Sequence, residues 1–169
     1  MDNIVDQTER DKDFSAVQNQ LESFIAARQS LVLATHAAQG ECEMGVASFV
    51  HVDGALAVLL SGLAAHTRHL EREPRAQVML LEDEVETRQP YARLRMSVHC
   101  DVTRLAREDE RSDVIFELMQ ARFGSIVPLL RGLNDFHVFI LAPRHGRFVA
   151  GFGKAYRLEE LCVVEHLRG

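Results

Sequence analysis

Residues 43–61, EMGVASFVHVDGALAVLLS, decide the fold class because two apolar runs are joined there by a two-residue turn signal. The runs cover 43–52 and 55–61, and Asp53-Gly54 lies between them. An Asp-Gly pair favours the tight turn of a β-hairpin, since both turn positions take positive φ. We therefore predict two consecutive antiparallel strands at this point of the chain.

Other segments show strand or helix character. Further strands are predicted over 30–35, 76–83, 92–105, 136–143 and 147–158, with a turn at 144–146 and a short C-terminal tail after the last strand. Helices are predicted where apolar residues recur every three or four positions, over 14–25, 64–73 and 107–123, the last ending at Gly124. Six or seven strands with few helices predict a mainly β fold, a closed or nearly closed antiparallel barrel.

The composition fits one globular domain. The chain has 169 residues, of which 47% are hydrophobic, and this length supports a single core. We expect residues 1–12 to form a disordered N-terminus because they are too polar to pack, and residues 13–169 to form the domain. The formal charge of −6, without a long block of one sign, disfavours nucleic acid and anionic membranes as partners.

Cysteine usage and motif content narrow the class of protein further. Three widely spaced cysteines, a polar N-terminus and the lack of an apolar run of about 20 residues predict a cytoplasmic protein with reduced thiols. The sequence contains neither a G-x-S-x-G elbow, nor a G-x-x-x-x-G-K-[ST] loop, nor an H-E-x-x-H helix. No catalytic residue is therefore named from motifs.

The segment SGLAAHTRHL, residues 61–70, brings polar side chains to the end of a strand and the start of a helix. Free backbone N–H groups and the helix dipole attract anions at such a point. The candidate ligands of a phosphate or carboxylate are Ser61, His66, Thr67 and Arg68. A polar loop followed by a solvated helix face explains the same pattern and is the favoured alternative from spacing alone. His66 and His69 are three residues apart and could share a helical face. Zinc needs three or four ligands, so a metal site is not favoured.

A second group of candidates lies on one predicted strand. Arg93, Arg95 and His99 fall on the same side of it by the period of two. Guanidinium groups bind carboxylates and phosphates as a fork, so this row is a candidate anion site. An exposed, solvated strand face is the alternative.

Two glycines, Gly151 and Gly153, stand one residue apart in RFVAGFGKAYRL, residues 147–158. The dinucleotide-binding glycine fingerprint follows a first parallel strand and opens a helix, which this stretch does not do. Within a strand, both glycines face one side, and Lys154 faces the other. Bare backbone on one side favours close approach of a ligand or of a partner subunit, and a bend at a barrel corner is the alternative.

Two motifs are specific enough to carry a resemblance: G-L-A-x-H-T-R-x-L-x-x-x-P over 62–74 and F-V-x-G-F-G-x-A over 148–155. Together with SLVLATHAAQG, YARLRMSVHCDVTRL and ARFG, they resemble the haem-utilisation proteins of the HugZ/HutZ type. That group belongs to the pyridoxamine-5′-phosphate-oxidase-like, FMN-binding split-barrel superfamily. The resemblance covers the chain from about residue 20 onward.

The resemblance implies a six-stranded antiparallel split β-barrel and a homodimer with two equivalent ligand clefts at the subunit interface. In flavin-binding relatives the ligand is FMN, whose phosphate lies near the residues matching Ser61, His66, Thr67 and Arg68. In the haem-utilisation branch it is haem, degraded with oxygen and an electron donor and held by a histidine near the C-terminus. The matching iron ligand is His166, with His66 as the alternative. The remaining candidate cofactor-binding residues are Arg93, Arg95, Gly151, Gly153 and Lys154.

Three functions stay open at this point. The leading one is a haem-binding protein of haem and iron utilisation, with oxygen-dependent haem degradation as a candidate activity. The second is an FMN-dependent oxidoreductase acting on a small substrate. The third is a non-enzymatic, ligand-binding barrel.

Overall fold

The structure is a computed structural model that describes residues 2–37 and 39–167, with side chains from Phe14 onward. In chain order its elements are α1 (Asp2–Ala27), β1 (Ser30–His36), β2 (Cys42–Val52), β3 (Ala55–Ser61), α2 (Ala65–Arg72), β4 (Arg75–Leu81), a 3₁₀ turn (Pro90–Ala92), β5 (Arg95–Arg104), α3 (Glu110–Phe123), α4 (Ile126–Gly132), β6 (Phe136–Gly151), β7 (Lys154–Glu159) and β8 (Cys162–Leu167).

Six of the strands close a barrel. The antiparallel sheet runs in the order β3-β2-β1-β4-β5-β6-β7-β8, and β3 also pairs with β6. The long β6 permits both pairings, because residues 136–141 pair with β3 whereas residues from 145 onward pair with β7. The predicted mainly β fold, a six-stranded antiparallel split barrel with flanking helices, is confirmed. The hairpin of β7 and β8 extends the sheet beyond the barrel.

Two apolar clusters form the core. The larger one fills the barrel and is covered by α1, whose Leu21 and Ile25 are almost fully buried together with strand residues such as Leu33 and Phe148. Burying one such side chain contributes about 1.5–3 kcal/mol. The smaller cluster joins α3 and α4 to the outside of the barrel. The predicted amphipathic spacing of α1 is therefore explained by its position over the barrel.

The hairpin signal at Asp53-Gly54 is confirmed. Both residues have positive φ, 49° and 76°, and they connect β2 to β3. Phe49 to Val52 pair directly with Val58 to Ala55. The Asp-Gly turn therefore sets the register in which β2 and β3 pair.

The turn predicted at 144–146 is wrong, because β6 runs through it without interruption. His99 pairs with His145 and Cys100 pairs with Pro143, so Arg144 is the extra residue of a β-bulge. The bulge leaves Pro143 within the strand. Gly146 is needed for close approach to the neighbouring strand, since a Cβ there would lie 2.8 Å from the Val98 Cα.

Residues 147–158 were predicted as one strand, and this prediction is also wrong. β6 ends at Gly151, Phe152 and Gly153 form a turn, and β7 begins at Lys154. The segment predicted as a C-terminal tail forms β8, which pairs with β7. The glycines therefore make a turn, which lifts Phe152 out of the sheet.

The helices differ from prediction mainly at their ends. α1 begins at Asp2, earlier than expected. α3 ends at Phe123, and Gly124 caps it as predicted, with a positive φ of 76°. α4 was not predicted. Side chains are described only from Phe14 onward. The predicted disorder of residues 1–12 and the predicted start of the domain at residue 13 therefore stay predictions.

Candidate functional site

A cleft of about 610 Å³ lies on the outer face of the sheet, beside the turn between β6 and β7. This volume is within the roughly 300–1,000 Å³ typical of small-ligand sites. We call it the hairpin cleft, and it is lined by Met79, Tyr91, Arg95, Ser97, Arg147, Val149, Gly151, Phe152, Gly153, Lys154, Ala155, His166 and Leu167. Five residues predicted from sequence meet there: Arg95, Gly151, Gly153, Lys154 and His166.

Three cations line the hairpin cleft. Arg95 lies on β5 and Arg147 on β6, two strands that pair directly. Lys154 is the first residue of β7. No lining residue is acidic. Arg95 donates one hydrogen bond to the Arg93 carbonyl oxygen, at 3.0 Å, and the described residues include no ion-pair partner of Arg147 or Lys154. The cleft is therefore electrostatically prepared for an anionic ligand.

Glycine and exposed aromatic side chains shape the walls of the cleft. Gly151 and Gly153 have φ of 145° and 69°, values that a residue with a side chain rarely adopts. The turn they form carries Phe152, and the 3₁₀ turn carries Tyr91. Phe152 is 82% exposed and Tyr91 is 86% exposed, far more than aromatic residues usually are. The combination provides bare backbone and flat apolar surfaces for a planar ligand.

His166 occupies the end of the cleft on β8. It pairs with Tyr156 across the ladder, and the two rings are stacked with centroids 4.8 Å apart. Its Nε2 lies 3.2 Å from the Gly153 carbonyl oxygen. Since a carbonyl oxygen only accepts, Nε2 is the protonated nitrogen in this contact. The lone pair of the neutral ring is then on Nδ1, the nitrogen that could act as a ligand.

The other predicted anion site lies elsewhere in the protomer. Ser61 and His66 line a separate cleft of about 480 Å³ between β2, β3 and the α3–α4 region, which we call the α2 cleft. The Ser61 hydroxyl donates to Asp135 Oδ2 at 2.7 Å, and Arg68 donates to the Leu63 carbonyl oxygen at 2.7 Å. Thr67 is fully buried, and its Oγ1 has no partner among the described residues.

The imidazole of His66 is packed against the barrel. Its Nδ1 lies so close to Gly45 that a Cβ there would be 2.8 Å away. Burial lowers the pKa of His66, Glu43 opposes this effect, and His69 adds to it. The neutral form is thereby favoured. His69 contacts Thr35 Oγ1 at 3.2 Å, and across the described chain no three His, Cys, Asp or Glu residues are grouped to hold a metal ion.

The row of Arg93, Arg95 and His99 is divided by the structure. Arg93 precedes β5 and donates to the Glu82 carbonyl oxygen at 2.6 Å, so it anchors the loop that leads to Tyr91. His99 lines a different cleft, where it stacks on His145 with ring centroids 4.6 Å apart. Only Arg95 reaches the hairpin cleft.

Sequence reasoning missed Tyr91, Arg147 and Phe152 as cleft residues. Arg147 was detectable, since by the period of two it shares a strand face with Val149, which pairs with Arg95. Phe152 lies in the stretch predicted as one strand, where the sequence shows no sign of the turn. For Tyr91 the sequence carries no signal beyond the preceding Pro90, which begins the short 3₁₀ turn.

Comparison with known proteins connects this site to a family. The pyridoxamine 5′-phosphate oxidase family matches residues 17–150. The chain belongs to this family. It is 36% identical over 153 residues to the haem oxygenase HutZ of Vibrio cholerae serotype O1, covering 89% of this chain and 87% of HutZ.

Solved structures agree with this assignment. The crystal structure of HutZ from Vibrio cholerae, described there as a haem storage protein, has a TM-score of 0.71 at 35% identity, covering 75% of this chain and 89% of that one. The crystal structure of Campylobacter jejuni ChuZ has a TM-score of 0.83 at 30% identity, covering 92% of this chain and 63% of that one. The resemblance to HutZ-type proteins is confirmed.

The family match ends at residue 150, so the glycine turn, β7 and β8 lie beyond it. These parts supply Phe152, Lys154 and His166 to the hairpin cleft. None of the helices in the described ranges has both the length and the apolar character of a membrane span.

Proposed function

We propose that this chain is a haem-binding protein of haem and iron utilisation, with haem in the hairpin cleft. The observation that carries the proposal is the convergence of three cations, two exposed rings and one imidazole on a cleft without acidic lining residues. Haem is planar and largely apolar and carries two carboxylates, and its iron takes a neutral imidazole as an axial ligand. Similarity to HutZ supports the same ligand.

Each group of residues has a distinct role in this proposal. Arg95, Arg147 and Lys154 bind the two carboxylates through charge-assisted hydrogen bonds. Gly151 and Gly153 would let the backbone approach the macrocycle, and Phe152 and Tyr91 would offer it apolar surface. His166 is the candidate axial ligand, held by Gly153 and Tyr156. Bound haem would supply the redox-active iron, and these residues bind and orient it.

Titration of the purified protein with hemin tests the proposal. We expect a saturable Soret band at a ratio of one hemin per chain, shifted in His166→Ala. His51→Ala is the matched control, because His51 is exposed on β2 and lines none of the clefts described above. A spectrum of His166→Ala identical to that of the wild type overturns the role of His166, and the absence of saturable binding overturns haem binding itself.

Whether haem is degraded or stored is a separate question, and HutZ is described in both ways. We propose degradation, on the strength of the 36% identity with HutZ described as a haem oxygenase. The hemin complex supplied with oxygen and ascorbate as electron donor should lose its Soret band and release iron to a ferrous chelator. A stable complex under these conditions would identify the chain as a non-enzymatic haem carrier.

FMN is the second candidate ligand, and membership of the pyridoxamine 5′-phosphate oxidase family favours it. The α2 cleft is the place predicted for its phosphate. Asp135 opposes this, because its carboxylate accepts the hydrogen bond of Ser61 and would lie beside the phosphate. Quenching of flavin fluorescence on adding the protein, lost in Ser61→Ala, would support FMN. Unchanged fluorescence at saturating protein would exclude it.

We also propose a homodimer with the α2 cleft of each chain at its interface. Residues 42–48 of β2 pair with β1, whereas β3 pairs only with 49–52, so one edge has no strand partner among the described residues. Met44 and Val46 on this edge are exposed. A second copy would cover the apolar edge and close the α2 cleft, which Val46 borders. Sedimentation equilibrium should show a dimer that Val46→Asp dissociates, and a monomeric wild type would contradict the proposal.

The proposed location is the cytoplasm. Its support is that all three cysteines are free, with Cys42 and Cys162 exposed and Cys100 buried, as is usual in a reducing compartment. Fractionation of cells producing the full-length protein tests this location.

A further inference from the structure

Gln18 on α1 binds the outer edge of the sheet at β8. Its Nε2 donates to the Leu161 carbonyl oxygen at 3.0 Å, and its Oε1 accepts from the Val163 N–H at 2.9 Å. Nε2 also donates to Glu22 Oε1 at 3.0 Å. Exchanging the amide oxygen and nitrogen would oppose like groups at all three contacts, so the chemistry of the neighbours determines the amide orientation.

The two contacts imitate the next strand of the sheet. β8 is the last strand, so the backbone groups on its outer side have no strand neighbour among the described residues. Leu161 and Val163 are two residues apart, and their C=O and N–H point to the same side. One side-chain amide satisfies both, as a residue of a paired strand would. The edge is thereby fixed to α1 at one position.

The residue that faces Tyr156 is determined directly after this position. Leu158 pairs with Val163, but Arg157 pairs with Glu165, so Val164 is an extra residue in β8. Because of this bulge, His166 lies opposite Tyr156. A regular ladder continued from Val163 would place Glu165 there instead, since a shift of one residue exchanges the two faces of a strand.

We propose that Gln18 is a positioning residue that fixes the register of β8 and thereby holds His166 at the hairpin cleft. The inference rests on the proposed role of His166 as axial ligand. Gln18 itself does not line the cleft. It acts on the ligand only through β8.

The aromatic contacts of α1 point the same way. Phe14, one turn before Gln18, makes an edge-to-face contact with Tyr156 at a centroid distance of 6.4 Å. Tyr156 in turn stacks on His166. The helix therefore holds both partners of the stacked pair, Tyr156 by packing and β8 by hydrogen bonds.

The test compares Gln18→Ala with Gln20→Ala, an exposed glutamine on the same helix. In the ligand-free protein, the nuclear Overhauser contact between the Tyr156 and His166 rings should be lost in Gln18→Ala and kept in Gln20→Ala. Hemin affinity should fall about tenfold or more, as for other groups that orient metal ligands. The axial-ligand spectrum should shift toward that of His166→Ala.

A double-mutant cycle separates positioning from general stability. In the Gln18→Ala background, His166→Ala should add less than about twofold to the loss of affinity, because the two residues act as one unit. Gln18→Glu keeps the acceptor for the Val163 N–H and loses the donor to the Leu161 carbonyl oxygen, so we expect an intermediate loss of hemin affinity. This variant replaces Gln18→Ala in the test if Gln18→Ala does not fold.

One result would overturn the role of Gln18, and another would overturn haem binding. If Gln18→Ala and Gln18→Glu keep the ring contact and bind hemin as Gln20→Ala does, the inference is overturned while haem binding stands. If the wild type does not bind hemin, the proposed function fails. The ring contact in the ligand-free protein then still decides whether Gln18 sets the register of β8.

Discussion

Gly146 on β6 lies directly against Ser97 on β5, so a Cβ atom at Gly146 would overlap the Ser97 carbonyl oxygen. The same atom would come 2.8 Å from the Val98 Cα, and backbone at both positions is held by the ladder. Gly146→Ala should therefore lower the free energy of unfolding by at least about 1–3 kcal/mol, the usual cost of overpacking. Chemical denaturation monitored by circular dichroism measures this.

Gly132→Ala is the matched control for that substitution. Gly132 lies in the last turn of α4, and no atom is within 4 Å of a Cβ placed there. The same change should be neutral or raise stability by about 0.4–1 kcal/mol, because it reduces the entropy of the unfolded chain. Equal effects of the two substitutions would show that β5 and β6 separate more easily than their contacts indicate.

Gly146 also explains where sequence reasoning failed for the fold. Arg144-His145-Gly146 follows Pro143, and this composition is typical of a turn. In the structure Arg144 is a bulge and Gly146 provides close approach. A glycine needed for approach and one needed for a turn look alike in sequence, since only the neighbouring strand distinguishes them. By contrast, the turn at Asp53-Gly54 is fixed by local φ alone, so it was predictable.

Phe148 and Phe152 should respond in opposite ways to truncation. Phe148 is fully buried and packs on Phe24 of α1 at a ring-centroid distance of 5.8 Å, whereas Phe152 is 82% exposed at the cleft. Phe148→Ala should cost about 3–5 kcal/mol of stability. Phe152→Ala should change stability by less than about 0.5 kcal/mol yet weaken hemin binding. Thermal unfolding and hemin titration of both variants check this, and a large stability loss in Phe152→Ala would contradict the assignment.

Stability should fall as the solution is acidified below the ordinary histidine pKa near 6.5. Burial lowers the pKa of His66 in the folded protein, and burial with Arg104 and Arg107 lowers that of His137. At these two histidines the unfolded chain then binds protons more readily than the folded protein. Their contribution to the free energy of unfolding is therefore complete above pH 6.5 and is lost as the pH falls toward the lowered pKa values.

Substitution assigns this pH dependence to the two residues. Between about pH 7.5 and 5.5, urea midpoints of His66→Gln and His137→Gln should each fall less steeply than the wild-type midpoint, and those of the double variant least steeply. Parallel curves for all four proteins would locate the acid sensitivity in other groups.

The sequence predicted much of the hairpin cleft but not its assembly. The sequence alone singles out five of its residues, Arg95, Gly151, Gly153, Lys154 and His166, but does not indicate that they meet. Arg147 and Tyr91 were missed, and His166 was expected on a tail. The reason is physical: which outward-facing residues meet depends on strand order and on three bulges. The bulges near Arg144, Ala150 and Val164 leave no local signature in the sequence.

Arg147 and Arg157 give the sharpest test of the charge of the cleft. They are directly opposite on β6 and β7, but Arg157 forms ion pairs with Glu159 and Glu165 and does not line the cleft. Its charge is therefore compensated within the protein, while that of Arg147 is available to a ligand. Arg147→Gln should weaken hemin binding about tenfold, the loss of one charge-assisted hydrogen bond, and Arg157→Gln should weaken it less than about twofold.

Hemin dimethyl ester shows whether the carboxylates of the ligand carry this difference. The ester keeps the iron and the flat macrocycle but has no negative charges to meet Arg147. If the guanidinium binds a haem carboxylate, Arg147→Gln and the wild type should bind the ester equally well. The wild-type affinity for hemin should also decrease with added salt, because exposed charge pairs are screened, and that decrease should be smaller in Arg147→Gln. A tenfold difference that persists with the ester would mean that Arg147 acts by packing against the macrocycle and not by its charge.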